Sequence, residues 1–309
     1  MTTADVDVVV VLYHSADSIQ QAIASLSTQD ATWTLHLVDN NPGDGSLQAA
    51  LSAAPADVRV HRPGSNIGFG GGCNLAIANG TVPYVLLLNP DARLEPHCLD
   101  RLRAALEGDP GLAAVGPLVL RSTDGKIDSA GMELIAPGWA RDRKRGHDLS
   151  EAPASGEVRC LSGGILLLRR KALEVIKRTD APFWDELFLY NEDVELSLAL
   201  TTAGCRLGYE RDAHAVHAVG GSGGDRHLTQ ALAARNRILT AISYLRLSDI
   251  LHPFFGFLWL RRIILDIPRL WTNLHQKELR TRLPDLIKKA MIRRRTMKEI
   301  RQAYQTENV

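Results

Sequence analysis

The run Tyr84-Val85-Leu86-Leu87-Leu88, closed by Asn89-Pro90-Asp91, is the stretch that most narrows what this chain can fold into. Its length, and the prolines at 83 and 90 on either side, read as a buried central strand. The end of such a strand delivers a carboxylate to the carboxyl edge of a sheet, where open α/β folds bind their ligands. Taken alone, Asp91 serves equally well as a cap for the following turn. The arrangement recurs, however. Leu35-His36-Leu37-Val38 runs into Asp39-Asn40-Asn41, and Phe188-Leu189-Tyr190 runs into Asn191-Glu192-Asp193. Three apolar segments that each end in acid point to a site for a divalent cation and a nucleotide.

Strand and helix signals alternate along the first hundred residues. Val6 to Leu12 is nearly continuous in β-branched residues, as in a strand buried on both faces. Asp17 is expected to cap a helix carrying Ile19, Ile23 and Leu26 on one face. Strands follow at Leu35 to Val38, Val58 to His61 and Tyr84 to Leu88, with helices around Leu75 to Ala78 and Leu99 to Leu106. This alternation predicts a doubly wound parallel sheet. Beyond Gly116 the pattern loosens. Residues 137 to 157 are rich in charge, Gly and Pro and read as a mobile loop. Gly164 to Leu168 and Arg206 to Tyr209 look like strands, Glu192 to Leu200 has helical spacing, and the chain turns helical from Leu228 onward.

A length of 309 residues suits one large α/β domain with an appendage. The net charge of +1 conceals an asymmetry: between Lys277 and Arg301, ten Lys/Arg face only Glu278, Asp285 and Glu299. The body is mildly acidic and the tail strongly basic, so the tail is expected to meet something anionic. Cys73, Cys98, Cys160 and Cys205 show neither close pairing nor zinc-ligand spacing, which fits a reducing compartment. No secretory signal is recognisable at the N-terminus, and no stretch approaches the roughly 18 apolar residues of a spanning helix.

Several motifs carry chemistry. Asn66-Ile-Gly-Phe-Gly-Gly-Gly-Cys-Asn74 reads as a glycine-rich loop entering a helix, either a turn needing positive φ or backbone approaching a phosphate or sugar. It departs from the dinucleotide fingerprint at Cys73 and lacks the Gly-Lys-Ser/Thr of a nucleoside-triphosphate loop. Asp39 with its asparagines makes either an Asx turn or a hydrogen bond to a base or ribose. Asp91 is the expected ligand of a hard cation. Glu192 and Asp193 either satisfy a helix N-terminus or supply a general base, with the preceding aromatics forming a wall for a sugar. His217, ahead of Val219-Gly-Gly-Ser-Gly-Gly224, is a candidate further metal ligand.

As a set, Val38-Asp39-Asn40-Asn41, Asn66 to Asn74, Leu88-Asn-Pro-Asp91, Ser162-Gly163-Gly164, Phe188-Leu-Tyr-Asn-Glu-Asp193 and His217 resemble a family-2 inverting glycosyltransferase, and more narrowly its bacterial rhamnosyltransferase branch. The resemblance spans most of residues 6 to 222. It implies a GT-A type nucleotide-diphospho-sugar transferase fold, a mostly parallel sheet flanked by helices. Residues 1–227 would form the catalytic domain and 228–309 a basic helical extension. It implies Asp193 as catalytic base with Glu192 beside it, and Asp91 and His217 around Mg²⁺ or Mn²⁺. Asp39, Asn41, Asn66, Gly68, Phe69, Gly70, Asn74, Asn89 and Arg235 would serve the donor, Arg235 neutralising the leaving phosphate. The chain departs from the family at Glu195-Leu-Ser-Leu-Ala199, where relatives place an Arg, and at Cys205, where they place an aromatic.

The implied donor is dTDP-rhamnose and the implied acceptor a glycan or polyprenyl-diphosphate-linked saccharide, in bacterial cell-surface polysaccharide synthesis. A galactofuranosyl, mannosyl or glucosyl nucleotide donor is the alternative, and a noncatalytic sugar-nucleotide-binding assembly protein a more distant one. Pro253-Phe-Phe-Gly-Phe-Leu-Trp-Leu-Arg-Arg-Ile-Ile-Leu either packs on the domain or lies on an anionic membrane, assisted by basic residues near Lys288 and Arg293. The expected location is therefore the cytoplasm, peripheral on the inner face of the plasma membrane. A nucleic-acid role ranks lower, because the tail lacks the aromatic stacking positions of single-strand binders.

Overall fold

The computed structural model describes residues 5–136, 138–176, 181–218, 226–244, 261 and 277–307. In chain order the first half runs β1 (Val6–Leu12), α1 (Ile19–Ser25), β2 (Trp33–Asp39), α2 (Ser46–Ala53), β3 (Arg59–His61), α3 (Gly68–Ala78), β4 (Tyr84–Leu88), β5 (Ala92–Leu94) and α4 (Cys98–Gly108). It continues with β6 (Leu112–Arg121), β7 (Ile127–Ser129), β8 (Met132–Ala136), β9 (Trp139–Asp142), β10 (Gly156–Val158), β11 (Ile165–Arg169), α5 (Arg170–Ile176), α6 (Glu192–Thr202), β12 (Arg206–His217), α7 (Arg226–Tyr244) and α8 (Lys277–Glu307).

Ten strands form one mixed sheet in the order β10-β12-β6-β11-β4-β1-β2-β3, with β5 added to β12 and β7 to β6. The pairs β4–β1, β1–β2 and β2–β3 are parallel, as alternation predicts. The doubly wound parallel expectation fails at β11, which runs antiparallel to both β4 and β6, whereas β12 is again parallel to β6. The sheet is thus mostly parallel but mixed.

The continuous apolar strands are explained by burial on both faces. In β1, Val8, Val10 and Leu12 face the layer of α1, α2 and α4, while Val9 and Val11 face α3, α5 and α6. Only Asp7 interrupts the strand. It is buried, and its carboxylate accepts from Arg170 Nη2 at 2.5 Å and pairs with His36 Nε2 at 3.1 Å.

Three local expectations are corrected. Ser18 rather than Asp17 precedes α1, and it makes no side-chain cap, because its backbone already takes helical angles. The glycine-rich stretch is the first turns of α3 rather than a loop. Glycine weakens a helix, but a Cβ at Gly72 would lie 2.9 Å from both Val11 methyls, so the glycines let α3 lie close against β1. Residues 137 to 157, read as a mobile loop, include β9, a 3₁₀ turn at Leu149–Glu151 and the start of β10. Exposed ion pairs such as Arg141–Glu133 at 2.6 Å account for the charge of this segment without making it irregular. The apolar segment at 253–265, apart from Arg261, lies outside the described residues. The four cysteines are free thiols, and no helix among the described residues is long and apolar enough to cross a membrane.

Candidate active site

The carboxyl ends of β1, β2 and β4 open onto a cleft of about 470 Å³. Val11, Tyr13 and His14 line it from β1, Asn40 from β2, and Asn89, Pro90 and Asp91 from β4. Asn66, Gly68 and Phe69 enter from the start of α3, Phe188 to Tyr190 from the segment before α6, and Leu228, Thr229 and Leu232 from α7.

Asn40 ties β2 to the glycine turn. Its Nδ2 donates to Asn66 Oδ1 at 2.9 Å and to the Gly68 carbonyl at 3.1 Å, and its Oδ1 accepts from the Ile67 amide at 3.0 Å. Gly68 has φ +77°, and a Cβ there would overlap the Phe188 carbonyl, which accepts from the Phe69 amide at 2.8 Å. Only glycine satisfies both conditions.

Asp91 and His217 converge on the cleft floor. His217 Nε2 lies 3.3 Å from Asp91 Oδ1, and His217 Nδ1 lies 3.0 Å from Asp128 Oδ2. Hydrogen bonds to Asp128 and Asp91 outweigh burial and push the imidazole up to about 9. Asp128 is in turn paired with Arg145, at 3.1 Å. A hard carboxylate oxygen beside an imidazole nitrogen, oriented from behind by a second carboxylate, suits Mg²⁺ or Mn²⁺. An exposed Asp30–His97–Asp100 cluster also has metal-ligand proximity. It lies by the amino end of β2, away from the cleft, and Asp100 already accepts from the amides of Asp30 and Ala31 at 3.0 and 2.7 Å.

Glu192 and Asp193 open α6. Asp193 accepts from the Gly163 amide at 3.1 Å and from its neighbour Val194 at 2.7 Å. Burial raises the Asp193 carboxyl despite these donors, and it raises Glu192 further with the help of the Asp193 charge. Glu192 is buried and Asp193 half-buried, and two carboxyls this close oppose each other's ionisation, a setting that keeps a base of moderate strength.

The segment leading into α6 is bent. Phe188 has φ 60° and ψ −63°, and the Leu189 amide donates back to the Leu187 carbonyl at 2.6 Å, closing a γ-turn of the strained hand. Tyr190 and Asn191 also have positive φ, at 69° and 70°. α7 holds this conformation. Asn236 Nδ2 donates to the carbonyls of Leu187, Leu189 and Tyr190 at 2.6, 2.9 and 2.7 Å, and Arg235 Nη2 donates to those of Glu186 and Leu187.

Asn66, Gly68, Phe69, Asn89, Asp91 and His217 thus meet in the cleft, whereas Glu192 and Asp193 are not among its lining residues. Others take different posts. Asp39 is buried at the end of β2, and its neighbour Asn40 faces the cleft instead. Asn41 pairs with His14 at 3.3 Å. Gly70 packs on Phe183, and Asn74 clamps the backbone of Phe183 from both amide atoms. Arg235 spends its guanidinium on carbonyls rather than on a diphosphate, and burial lowers it to about 10. In the sequence Asn40 and Asn236 stand inside or beside quoted motifs without a role of their own, and Asp128 stands in none. Asn40 was hidden beside a more conspicuous Asp, and nothing near Asp128 in sequence ties it to a histidine 89 residues away.

The Glycosyl transferase family 2 model matches residues 7–177. The chain belongs to glycosyltransferase family 2. In an alignment 239 positions long that takes in 68% of this chain, this glycosyltransferase is 30% identical to N-acetylglucosaminyl-diphospho-decaprenol L-rhamnosyltransferase of Mycobacterium tuberculosis, in strains CDC 1551 / Oshkosh and ATCC 25618 / H37Rv, covering 75% of that protein. Among solved structures it resembles GalNAc-T7 with UDP, GalNAc and Mn²⁺, at TM-score 0.59 and 13% identity over 78% of this chain. It also resembles S. aureus TarS, at TM-score 0.52 and 18% identity over 95% of this chain. The chain spans 48% and 55% of those two proteins, and both likenesses concern the fold.

Proposed function

We propose that this glycosyltransferase transfers rhamnose, with inversion, from dTDP-rhamnose to a polyprenyl-diphosphate-linked saccharide. The observation that carries the reading is the Asp91–His217 pair at 3.3 Å on the cleft floor, with Asp193 held by the Gly163 amide at 3.1 Å where Phe69 of the cleft also packs. The choice of sugar and of a lipid-linked acceptor is supported by the mycobacterial relative's name.

The donor's nucleoside occupies the cleft between Tyr13, Asn40 and Asn66, with its diphosphate toward Asp91. Asp193 takes the proton from an acceptor hydroxyl as that oxygen forms a bond to the anomeric carbon. The bond from that carbon to the diphosphate oxygen breaks, and its electron pair leaves with the nucleoside diphosphate. The transition state has oxocarbenium character, and displacement from the opposite face inverts the centre. Asp91 and His217 would hold Mg²⁺ or Mn²⁺, which would supply positive charge against the diphosphate. Asp128 keeps the His217 ring turned toward Asp91, and Asn236 keeps the turn before Asp193 in place.

A lipid-linked acceptor places the enzyme at the cytoplasmic membrane face. Exposed Ile287, Met291 and Ile292 on α8 are interleaved with exposed Lys288, Arg294, Arg295 and Lys298, a composition suited to an anionic bilayer surface. Calorimetry with Mn²⁺ against dTDP-, UDP- and GDP-sugars tests the donor. Cation-dependent binding that favours dTDP-rhamnose is expected, whereas preference for another sugar nucleotide discards rhamnose.

A further inference from the structure

Behind the wall made by Asn89 and His217 lies a second pocket of about 160 Å³. It is separate from the nucleotide cleft but shares those two residues with it. Its walls come from the carboxyl half of β6, from β7 and β9, and from the turn entering β11. Ser162 and Gly164 line it, and Gly163 between them donates to Asp193 Oδ2 at 3.1 Å. The Ser162–Gly164 turn thus joins the wall of this pocket to the proposed base.

The lining is polar in a particular way. Arg145 bridges two carboxylates, Asp128 at 3.1 Å and Asp142 at 3.0 Å, and Ser129 stands beside them. Carboxylate acceptors, a guanidinium fork and a hydroxyl around a small cavity match the hydroxyls of one sugar ring, each of which donates and accepts. Pro117, Val119, Leu161 and Ile165 supply apolar surface for its C–H faces.

Two sugars take part in the reaction, and the position of the pocket distinguishes them. The nucleotide cleft and Asp91 lie on one side of the shared residues Asn89 and His217, and the second pocket lies on the other. In an inverting displacement the nucleophile approaches opposite the departing diphosphate, and its proton must reach Asp193. We infer that this second pocket seats the acceptor's sugar, with Asp142 and Arg145 as the residues that determine acceptor specificity. The inference rests on the proposed transfer reaction and adds the site of its second substrate.

The test uses the full-length enzyme with its donor, Mn²⁺ and a lipid-linked N-acetylglucosamine acceptor, comparing wild type with Asp142→Asn and Arg145→Gln. Loss of hydrogen bonds to charged groups is expected to raise the acceptor KM about tenfold or more, while the donor Kd stays within about threefold. Arg145 is half exposed, so its replacement is tolerated by the fold, and thermal melting of both variants checks this. An unchanged acceptor KM in both variants overturns the inference. So does weakened binding of the sugar nucleotide with unchanged binding of the free nucleoside diphosphate, because the pocket would then hold the donor's sugar. A wild-type enzyme that uses a different sugar nucleotide overturns only the rhamnose assignment, and the same comparison is then run with that donor.

Discussion

At the residue scale, Gly68 and His217 show how much of the site rests on single residues. Gly68→Ala forces a methyl into the Phe188 carbonyl at a backbone angle that L residues rarely adopt. Donor affinity is expected to fall at least about tenfold by calorimetry, since both walls of the cleft shift together. His217 makes stability depend on pH. Its folded value of about 9 lies above the ordinary 6.5, so the folded protein binds more protons than the unfolded chain between those values. The contribution is complete below about 6.5 and is lost as pH rises through 9. Urea midpoints in chelator are expected to fall more steeply over that window in wild type than in His217→Gln, and equal slopes would remove the assigned role. Asp91 and the Glu192-Asp193 pair were legible in the sequence because each ends an apolar run. Asp128 was not, since its partner is brought to it by the pairing of β12, β6 and β7.

At the scale of elements, the strands were easier to read than their directions. The β-branched and leucine runs of β1, β4 and β11 identify strands buried on both faces, but nothing within Ile165–Arg169 encodes that it runs antiparallel to β4. The turn before α6 was equally hidden, because Phe188, Tyr190 and Asn191 give no local warning of positive φ. Its conformation is imposed from α7, where Asn236 satisfies three carbonyls. Asn236→Ala is expected to cost about 3 kcal/mol in chemical denaturation and to lower kcat more than it raises the donor KM. Asn236→Asp keeps the size but loses the donors, so it is expected to behave like the alanine variant. Full activity in Asn236→Asp would mean that the turn holds itself.

At the scale of the whole molecule, α8 is fastened to the body of the protein through Glu195. Glu195 is fully buried, and its Oε1 accepts from Arg293 Nε at 2.7 Å and from the Tyr244 hydroxyl at 2.6 Å. Removing one member of such a pair strands the other, so Arg293→Met is expected to cost about 3–5 kcal/mol, with Glu195→Leu in the same chain restoring much of it. The basic outer face of α8 is expected to pellet the enzyme with anionic vesicles at low salt and to release it at high salt; indifference to vesicle charge would leave that face without its proposed partner. Above these contacts stands the transfer reaction itself, for which Asp193 is the proposed base. The most direct measurement is the turnover of Asp193→Asn beside its donor affinity. The account predicts a kcat lower by about 10²–10⁴-fold with donor Kd nearly unchanged; turnover within a few-fold of wild type would contradict it.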